Sequence, residues 1–264
     1  MFTLNCKGRL VVVDRPIVMA IINVTPDSFF AGSRHQDADH IVQEAGRMLQ
    51  EGATILDIGG QSTRPGSERV GEDEELKRVI PAIEAIHIAH PTAIVSIDTY
   101  YAKVASEAVA AGASIVNDVS AGRMDVAMVE TVASLQVPYI LMHMKGTPET
   151  MQQAATYSDV TKEVLDFFIH QLPQFRAAGI NDIIVDPGFG FAKTIDHNFE
   201  LLRNLSVFQM LDVPILLGVS RKSTVYKTLG VTAEEALNGS TVLHTIGLLN
   251  GAMILRTHDV KEAM

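Results

Sequence analysis

The chain has 264 residues, of which 47% are hydrophobic and 20% are charged, and its formal net charge is −10 at pH 7. This length fits one large α/β domain or two small ones, and the negative charge argues against nucleic acid as a general partner. The single cysteine, Cys6, excludes a disulfide framework and a cysteine-based metal site, which fits a reducing cytoplasm. No apolar run reaches the roughly 18 residues of a membrane span, and the first ten residues lack a signal-peptide core. We therefore expect a cytoplasmic protein that does not cross a membrane.

Short apolar runs that end at polar residues recur along the chain. Residues 3–13 alternate loosely before a turn at Asp14-Arg15-Pro16, which predicts a small hairpin able to plug one end of the fold. The later runs each predict a buried strand, at 17–22, 55–58, 94–97, 115–116, 139–141, 183–185, 215–217 and 253–255. Apolar residues at helical spacing, with glycine or proline stops, predict helices that include 38–49, 72–90, 158–177 and 233–249.

The regular spacing of these strands predicts one (β/α)8 barrel over residues 1–264. Their polar ends, from Asn23 to Arg256, lie about 33 residues apart on average, close to the ~31 expected for an eightfold barrel of about 250 residues. A doubly wound sheet is the alternative, although such sheets usually have about five or six strands. Because Met264 lies about one turn into the expected eighth helix, we expect that helix to be short or truncated.

Residues 186–194, DPGFGFAKT, form the most informative loop. An apolar strand stops at Asp186, and Pro187 and two glycines then require a sharp turn. Two phenylalanines and Lys193 occupy positions where an ordinary turn carries small polar residues. The loop is typical of a pocket wall, although a tight turn whose aspartate caps the next helix would also explain Asp186.

In a barrel the carboxyl ends of all the strands meet at one rim, where active sites are built. The polar residues at the predicted strand ends are Asn23, Asp57, Asp98, Asn117, His143, Asp186, Ser220 and Arg256. Helix capping alone would also place polar residues there. Asp98 and Asp186, however, each follow a fully apolar strand, and a buried carboxylate needs a donor. With Asn117 between them, they suit the donor-rich edge of an amino-pyrimidine ring.

Cations are grouped in the same predicted loops. They are Arg64, Lys193, Arg221, Lys222, Arg256 and His258. In an acidic chain this grouping indicates a site for a multiply charged anion such as a phosphate or a diphosphate. The alternative for Arg221 and Lys222 alone is a solvated pair.

These motifs resemble the dihydropteroate synthase family, whose members are targets of sulfonamides. The matching segments are NVTPDSF (23–29), DIGGQSTRPG (57–66), SIDT (96–99), AGASIVNDV (111–119), MHMKGTP (142–148), DPGFGFAKT (186–194), GVSRKS (218–223) and RTHDV (256–260). They occur in the family's order between residues 17 and 260. The resemblance implies transfer of a dihydropterin-methyl group from its diphosphate to 4-aminobenzoate, with release of diphosphate.

The resemblance also implies a role for individual residues. The pterin ring would bind Asp98, Asn117, Asp186 and Lys222 in a slot lined by Met142, Phe191 and Gly218. Asn23 would ligate Mg²⁺ on the diphosphate, and Thr63, Arg64, Arg256 and His258 would bind the diphosphate itself. The aminobenzoate would lie near Phe29, Thr63, Pro65, Phe191, Lys222 and Ser223. Catalysis would then depend on Asp98, Asp186, Lys222, Arg256 and His258, and the family implies a homodimer.

Two departures from the family pattern affect the first two loops. Phe30-Ala31 follow DSF where the family usually has a small polar residue and an acid, and Gln61 stands where many members have Glu. A pterin-binding methyltransferase is the closest rival enzyme, but it has no need for the cations that suit a diphosphate. A non-catalytic pterin-binding barrel is the alternative from a different class.

Overall fold

A computed structural model describes residues 1–24, 34–61, 69–151 and 153–264, and of residues 34–38 it describes the backbone alone. The strands are β1 (Phe2–Cys6), β2 (Arg9–Val13), β3 (Ile17–Asn23), β4 (Ile55–Gly59), β5 (Ile94–Asp98), β6 (Ile115–Asp118), β7 (Tyr139–Met142), β8 (Ile183–Asp186), β9 (Leu216–Leu217) and β10 (Ile254–Thr257). The helices are α1 (Arg34–Gln50), α2 (Glu72–Ala89), α3 (Ala102–Ala111), α4 (Met128–Leu135), α5 (Val160–Ala177), α6 (Ile195–Arg203), α7 (Ser223–Leu229), α8 (Leu237–Leu249) and α9 (Val260–Ala263), and a 3₁₀ helix spans Leu205–Leu211.

The apolar runs correctly located the barrel strands, but several strands extend past the polar residue expected to end them. β4 continues through Asp57 to Gly59, because its backbone keeps pairing with β3 and with β5 as far as Asp98. The predicted helix around 233–249 begins at Leu237, since the preceding residues form a turn. The sequence pattern gave no bounds for α4, α6 or α7.

Within the described residues, β3 to β10 form one parallel sheet in the order β8-β7-β6-β5-β4-β3-β10-β9. Strands adjacent in the chain are adjacent in the sheet, as expected when each crossover returns on the outside. A parallel bridge between Val185 and Ile215 joins the two edges, with Val185 N donating to Pro214 O at 3.0 Å. The sheet therefore closes into the predicted barrel, and the doubly wound alternative is wrong because such a sheet stays open.

The predicted hairpin is confirmed and closes the amino end of the barrel. β1 and β2 pair antiparallel from Phe2 with Val13 to Cys6 with Arg9. Three buried hairpin side chains, Leu4, Cys6 and Val13, pack in the same apolar cluster as the first residues of the barrel strands. The last helix, α9, is only four residues long, as expected. No helix in the described part of the chain is long and apolar enough to cross a membrane.

Candidate active site at the carboxyl end of the barrel

The barrel interior is built in layers, because side chains two residues apart on a strand lie on the same face. The layer nearest the amino end of the barrel is apolar and packs against the hairpin. Its strand residues are Ile17, Met19, Ile55, Ile94, Ile115, Ile140, Ile184, Leu216 and Ile254. The next inward positions are two residues further along each strand, and they are Ile21, Asp57, Ser96, Asn117, Met142, Asp186, Gly218 and Arg256. The carboxyl end of the barrel therefore contains a mostly polar layer directly above an apolar one.

Arg256 connects carboxylates from two neighbouring strands. Its Nε donates to Asp57 Oδ2 at 2.7 Å, and its Nη2 donates to Asp98 Oδ2 at 2.7 Å. Asn117 Nδ2 donates to the same Asp57 oxygen at 3.1 Å. Burial acts to lower the pKa of Arg256, but the carboxylates of Asp57 and Asp98 outweigh it and raise that pKa. The guanidinium therefore stays charged at the centre of the polar layer.

Asp98 keeps one oxygen unpaired. Its Oδ1 is buried and has no hydrogen-bond partner among the residues that the structure describes. Burial raises the pKa of Asp98, the Arg256 charge opposes that rise, and Asp57 adds to it. Because an unsatisfied buried acceptor costs about 1–3 kcal/mol, a bound molecule with an N–H donor would be stabilised at this oxygen.

Asp186 and Lys222 border a common space at the ends of the neighbouring strands β8 and β9. Asp186 Oδ1 accepts a hydrogen bond from Gly188 N at 2.7 Å, which fixes the turn after β8. A Cβ atom on Gly218 would lie 3.7 Å from Lys222 Nζ and 3.8 Å from Asp186 Oδ2. Glycine at this position therefore leaves room between an anion and a cation. Burial raises the pKa of Asp186 and lowers the pKa of Lys222 to about 8, while each group's charge opposes the shift of the other.

The loop after β8 also orients Lys222. The Lys222 ammonium donates to the carbonyl oxygen of Phe189 and lies 4.6 Å from the ring centre of Phe191. Phe191 and Met142 belong to a small apolar cluster at this end of the barrel, whose other buried members are Tyr100, Val119, Met144, Met151 and Ala192. The site thus combines an apolar wall, suited to a flat ring, with charged groups at its edge.

The remaining predicted site residues lie around this layer or outside the described residues. Asn23 ends β3, and a Cβ on Gly59 would lie 3.9 Å from Asn23 Oδ1 and 3.8 Å from Asp98 Oδ2. Ser223 directly follows Lys222 as the first residue of α7. His258 Nδ1 lies 3.1 Å from Ser220 Oγ. Four predicted residues lie outside the described part of the chain, and they are Phe29, Thr63, Arg64 and Pro65.

Two of the predicted site cations have other partners. Arg221 pairs with Asp259, with its Nη2 donating to Oδ1 at 2.6 Å and its Nε to Oδ2 at 2.9 Å. Lys193 is buried, with 4% of its surface exposed, and its Nζ donates to Gly188 O at 3.0 Å and Phe191 O at 3.1 Å. The prediction that both bind an anion in the site is wrong, because their donors are satisfied within the protein.

His143 does not belong to the rim either. It follows the inward-facing Met142, so its side chain faces outward from β7. There its ring packs edge-on against Phe167 of α5, with ring centres 5.0 Å apart. The expectation that it shares the rim with the aspartates is wrong for this reason.

Glu75 is a buried acid at the start of α2 that the sequence analysis did not assign to any site. It is fully buried, and its Oε2 accepts a hydrogen bond from Gln61 Nε2 at 2.7 Å. Tyr100 OH donates to Gln61 Oε1 at 2.7 Å, so the amide links α2 to the segment after β5. The signal was in the sequence, because Glu75 lies four residues before Val79 on the buried stripe of α2.

The residues at the rim fit a magnesium ion only if a ligand completes its coordination. No group of three or more His, Cys, Asp or Glu side chains able to hold a metal occurs in the chain segments described. Mg²⁺ binds oxygen and usually keeps several waters, with one or two protein oxygens and substrate phosphates completing its coordination. The amide oxygen of Asn23 and the nearby carboxylate of Asp98 are oxygen ligands of this type.

The sequence matches the family model described as pterin binding enzyme over residues 19–258. It is 43% identical over 263 residues to dihydropteroate synthase of Escherichia coli (strain K12), covering 99% of this chain and 93% of that protein. It is 41% identical over 253 residues to dihydropteroate synthase of Bacillus subtilis (strain 168), covering 94% of this chain and 85% of that protein.

Solved structures of the same enzyme have the same fold. The Yersinia pestis dihydropteroate synthase with a sulfonamide drug complex superimposes with a TM-score of 0.92 at 42% identity, covering 99% of this chain and 95% of that one. The Xanthomonas albilineans enzyme in complex with 7,8-dihydropteroate gives a TM-score of 0.88 at 40% identity, with coverage of 99% and 95%. The chain belongs to the pterin-binding enzymes and, within them, to the dihydropteroate synthase family.

Proposed function

We propose that this protein is a transferase of folate biosynthesis that joins 4-aminobenzoate to the dihydropterin-methyl group of a dihydropterin diphosphate. The products are 7,8-dihydropteroate and diphosphate. The observation that carries the proposal is the polar layer at the carboxyl end of the barrel, where Asp98, Asn117, Asp186, Lys222 and Arg256 come together around Asp57 and Gly218. Relatives solved with 4-aminobenzoic acid and with 7,8-dihydropteroate support the same substrate and product here.

The pterin ring fits the polar layer through its N–H groups. Asp98 offers a buried oxygen that has no donor among the described residues, and Asp186 borders the space above Gly218. We assign Asp98, Asn117, Asp186 and Lys222 to the polar edge of the ring. The residues assigned to its faces are Met142, Phe191 and Gly218.

The reaction breaks the bond between the pterin methylene carbon and the diphosphate oxygen, and both electrons leave with the oxygen. Positive charge then develops on the methylene carbon and the pterin ring. Asp98 and Asp186 stabilise that charge because they are preorganised anions in a buried site. The amine nitrogen of 4-aminobenzoate forms the new carbon–nitrogen bond and afterwards loses a proton. No covalent bond to the protein is required.

The leaving diphosphate requires positive charge at the rim. We assign Thr63, Arg64, Arg256 and His258 to its binding and Asn23 to a Mg²⁺ ion. When bound, Mg²⁺ neutralises charge that develops on the leaving oxygens. The Arg256 charge is fixed by Asp57 and Asp98, so it contributes to the field at the rim before any substrate binds.

The second substrate lies nearer the outside of the barrel. We assign Phe29, Thr63, Pro65, Phe191 and Ser223 to 4-aminobenzoate, which the sulfonamide found in the Yersinia pestis structure would displace. Phe191 is buried beside the Lys222 ammonium. Its ring is therefore assigned to both substrates.

Diphosphate release tests the proposal directly. We expect release from the dihydropterin diphosphate that depends on Mg²⁺ and on 4-aminobenzoate, and that falls by about 10²–10³-fold in Asp98→Ala and in Lys222→Ala. Lys103→Ala is the matched control, because Lys103 is exposed and pairs with Glu72 and Asp73. Tight pterin binding without any release would contradict the proposal and favour a methyltransferase or a non-catalytic pterin-binding barrel.

We further propose that the protein is a cytoplasmic homodimer. One face of α8 exposes Val242, Ile246 and Leu249, at 50%, 36% and 83% of their surfaces, and residues at this spacing are neighbours on a helix. A free buried cysteine suits a reducing compartment, and the net charge of −10 suits small-molecule substrates rather than nucleic acid. Light scattering should give twice the chain mass, reduced to one chain in Ile246→Glu, and cell fractionation should find the protein in the cytosol. A monomeric wild type would contradict the dimer.

A further inference from the structure

A buried ammonium lies behind the loop that connects β8 to α6. Lys193 Nζ is within 3.0 Å of Gly188 O, 3.1 Å of Phe191 O and 3.0 Å of His143 Nδ1. These three acceptors match the three N–H donors of an ammonium group. Lys193 has no salt bridge to a carboxylate within the described residues. Its charge is therefore held by hydrogen bonds to the loop and to the residue after β7.

His143 is the neutral partner in this arrangement. An ammonium group has no acceptor atom, so whenever Lys193 is protonated the Nδ1 of His143, 3.0 Å away, is the acceptor. Burial holds the pKa of His143 well below its usual range, and the Lys193 charge lowers it further. Burial also lowers the pKa of Lys193 to about 7, because removing a charge from water is unfavourable. A costly buried charge with complete hydrogen bonding needs a reason beyond packing.

The close approach of two backbone segments supplies that reason. Gly188 has φ of +74°, and a Cβ there would lie 1.9 Å from His143 O. The loop is therefore pressed against the end of β7, and the carbonyl groups of Gly188 and Phe191 face the interior. Without Lys193 these buried carbonyls would lose a donor, which is unfavourable for any buried backbone group.

The same loop also holds Lys222. The carbonyl of Phe189 accepts from Lys222, and the ring of Phe191 lies under the Lys222 ammonium. Lys193 thus binds the carbonyls on either side of Phe189, at residues 188 and 191, while Phe189 itself binds Lys222. The two ammonium groups therefore bind carbonyl oxygens of one loop, and their charges repel.

We propose that Lys193 is a positioning residue of the active site, which fixes the loop carbonyls and the Phe191 ring so that they hold Lys222 beside Asp186. It does not touch substrate, and its effect passes through Lys222. The inference rests on the proposed function only in taking a dihydropterin as the ligand of Lys222.

A double-mutant cycle tests whether Lys193 acts through Lys222. The variants are Lys193→Met, Lys222→Ala and the double variant, and the measurement is the Kd of 7,8-dihydropterin by calorimetry. We expect Lys193→Met to weaken binding about tenfold or more in the wild-type background and less than about threefold when Lys222 is already alanine. The control is Lys162→Met, because Lys162 is exposed on α5 and pairs with Asp166.

Each outcome bears on the inference. Equal weakening in both backgrounds, or no weakening in the wild-type background, would overturn it. A wild-type protein that binds no dihydropterin would overturn the proposed function as well, whereas the first two results leave that function intact. If Lys193→Met does not fold, Lys193→Gln retains N–H donors, and the same cycle is run with it against its own unfolding curve.

Discussion

The two ends of the barrel differ in chemistry although the same strands build both. At the amino end, the inward layer is made of aliphatic side chains such as Ile140 and Ile184 and is covered by the hairpin. At the carboxyl end, two residues further along, the inward layer contains Asp57, Asp186 and Arg256. On each strand, therefore, two residues separate the layer that stabilises the fold from the layer that carries the chemistry.

The difference shows how the molecule tolerates a buried polar site. Burying an aliphatic side chain contributes about 1.5–3 kcal/mol, whereas an uncompensated buried charge costs several kcal/mol. Arg256 reduces that cost by bridging Asp57 and Asp98, but Asp98 Oδ1 still lacks a partner among the described atoms. The apolar amino end supplies the stability that lets the carboxyl end remain incompletely satisfied until a ligand binds.

The largest effect should come from removing the cation of the polar layer. Arg256→Met leaves the carboxylates of Asp57 and Asp98 without their guanidinium, and breaking a buried pair in this way costs about 3–5 kcal/mol. Arg256 lowers the pKa of Asp98, so the variant raises that pKa further above its unfolded value. A raised folded pKa means that stability is lost as the pH rises. The destabilisation in urea unfolding should therefore be greater at pH 8 than at pH 5.

The pH dependence distinguishes electrostatics from packing in that variant. Loss of the Arg256 side chain also removes contacts, and lost contacts destabilise equally at both pH values. A destabilisation that is the same at pH 5 and pH 8 would contradict the view that Arg256 mainly compensates buried carboxylates.

A smaller effect, which does not depend on pH, should follow from shortening a side chain at the amino end of the barrel. Ile140 is fully buried in the apolar layer, and Ile140→Ala should cost about 2–4 kcal/mol through lost burial and a cavity. No titratable group is changed, so the loss should be the same at pH 5 and pH 8. Dihydropterin binding, measured by calorimetry, should stay within about threefold of wild type. A large loss of binding would show that the two layers are not independent.

Most of the fold could be predicted because buried strands have a recognisable sequence pattern. A strand covered on both faces needs a continuous apolar run, and eight such runs at barrel spacing predicted the closed sheet. The polar residues Asp98, Asn117, Asp186 and Arg256 could be located for the same reason, since each interrupts or ends an apolar run. Strand pairing past those residues could not be predicted, because it depends on neighbouring strands.

The directions of loop side chains could not be predicted from the sequence. Lys193, Arg221 and Lys222 are all cations in loops after strands, but only Lys222 borders the space above Gly218. Arg221 forms an ion pair with Asp259, which is distant in the chain. Lys193 instead donates to a carbonyl oxygen of its own loop. For His143 the sequence did carry an adequate signal, because the two-residue period of β7 places it outside the barrel.

The smallest predicted effect concerns Glu75, a buried acid outside both layers. Burial raises the pKa of Glu75 from 4.5 to about 8. A raised folded pKa gives stability that is complete below the unfolded pKa and is lost as the pH rises through the folded pKa. The wild-type protein should therefore lose stability between about pH 4.5 and pH 8 on account of this group. Glu75→Gln should remove that loss, because the amide oxygen still accepts from Gln61.

The expected difference between Glu75→Gln and wild type is near zero at pH 5 and on the order of 2 kcal/mol in favour of the variant at pH 8. The Gln61 donor stabilises the ionised carboxylate and keeps the difference below what burial alone would give. Glu74→Gln is the matched control on the same helix, because the Glu74 side chain is 49% exposed and pairs with Arg78. A Glu75→Gln variant that is less stable than wild type at pH 8 would show that the ionised carboxylate itself holds α2 against the segment after β4. The buried acid would then belong with Arg256 and Asp57 among the charges that the fold requires.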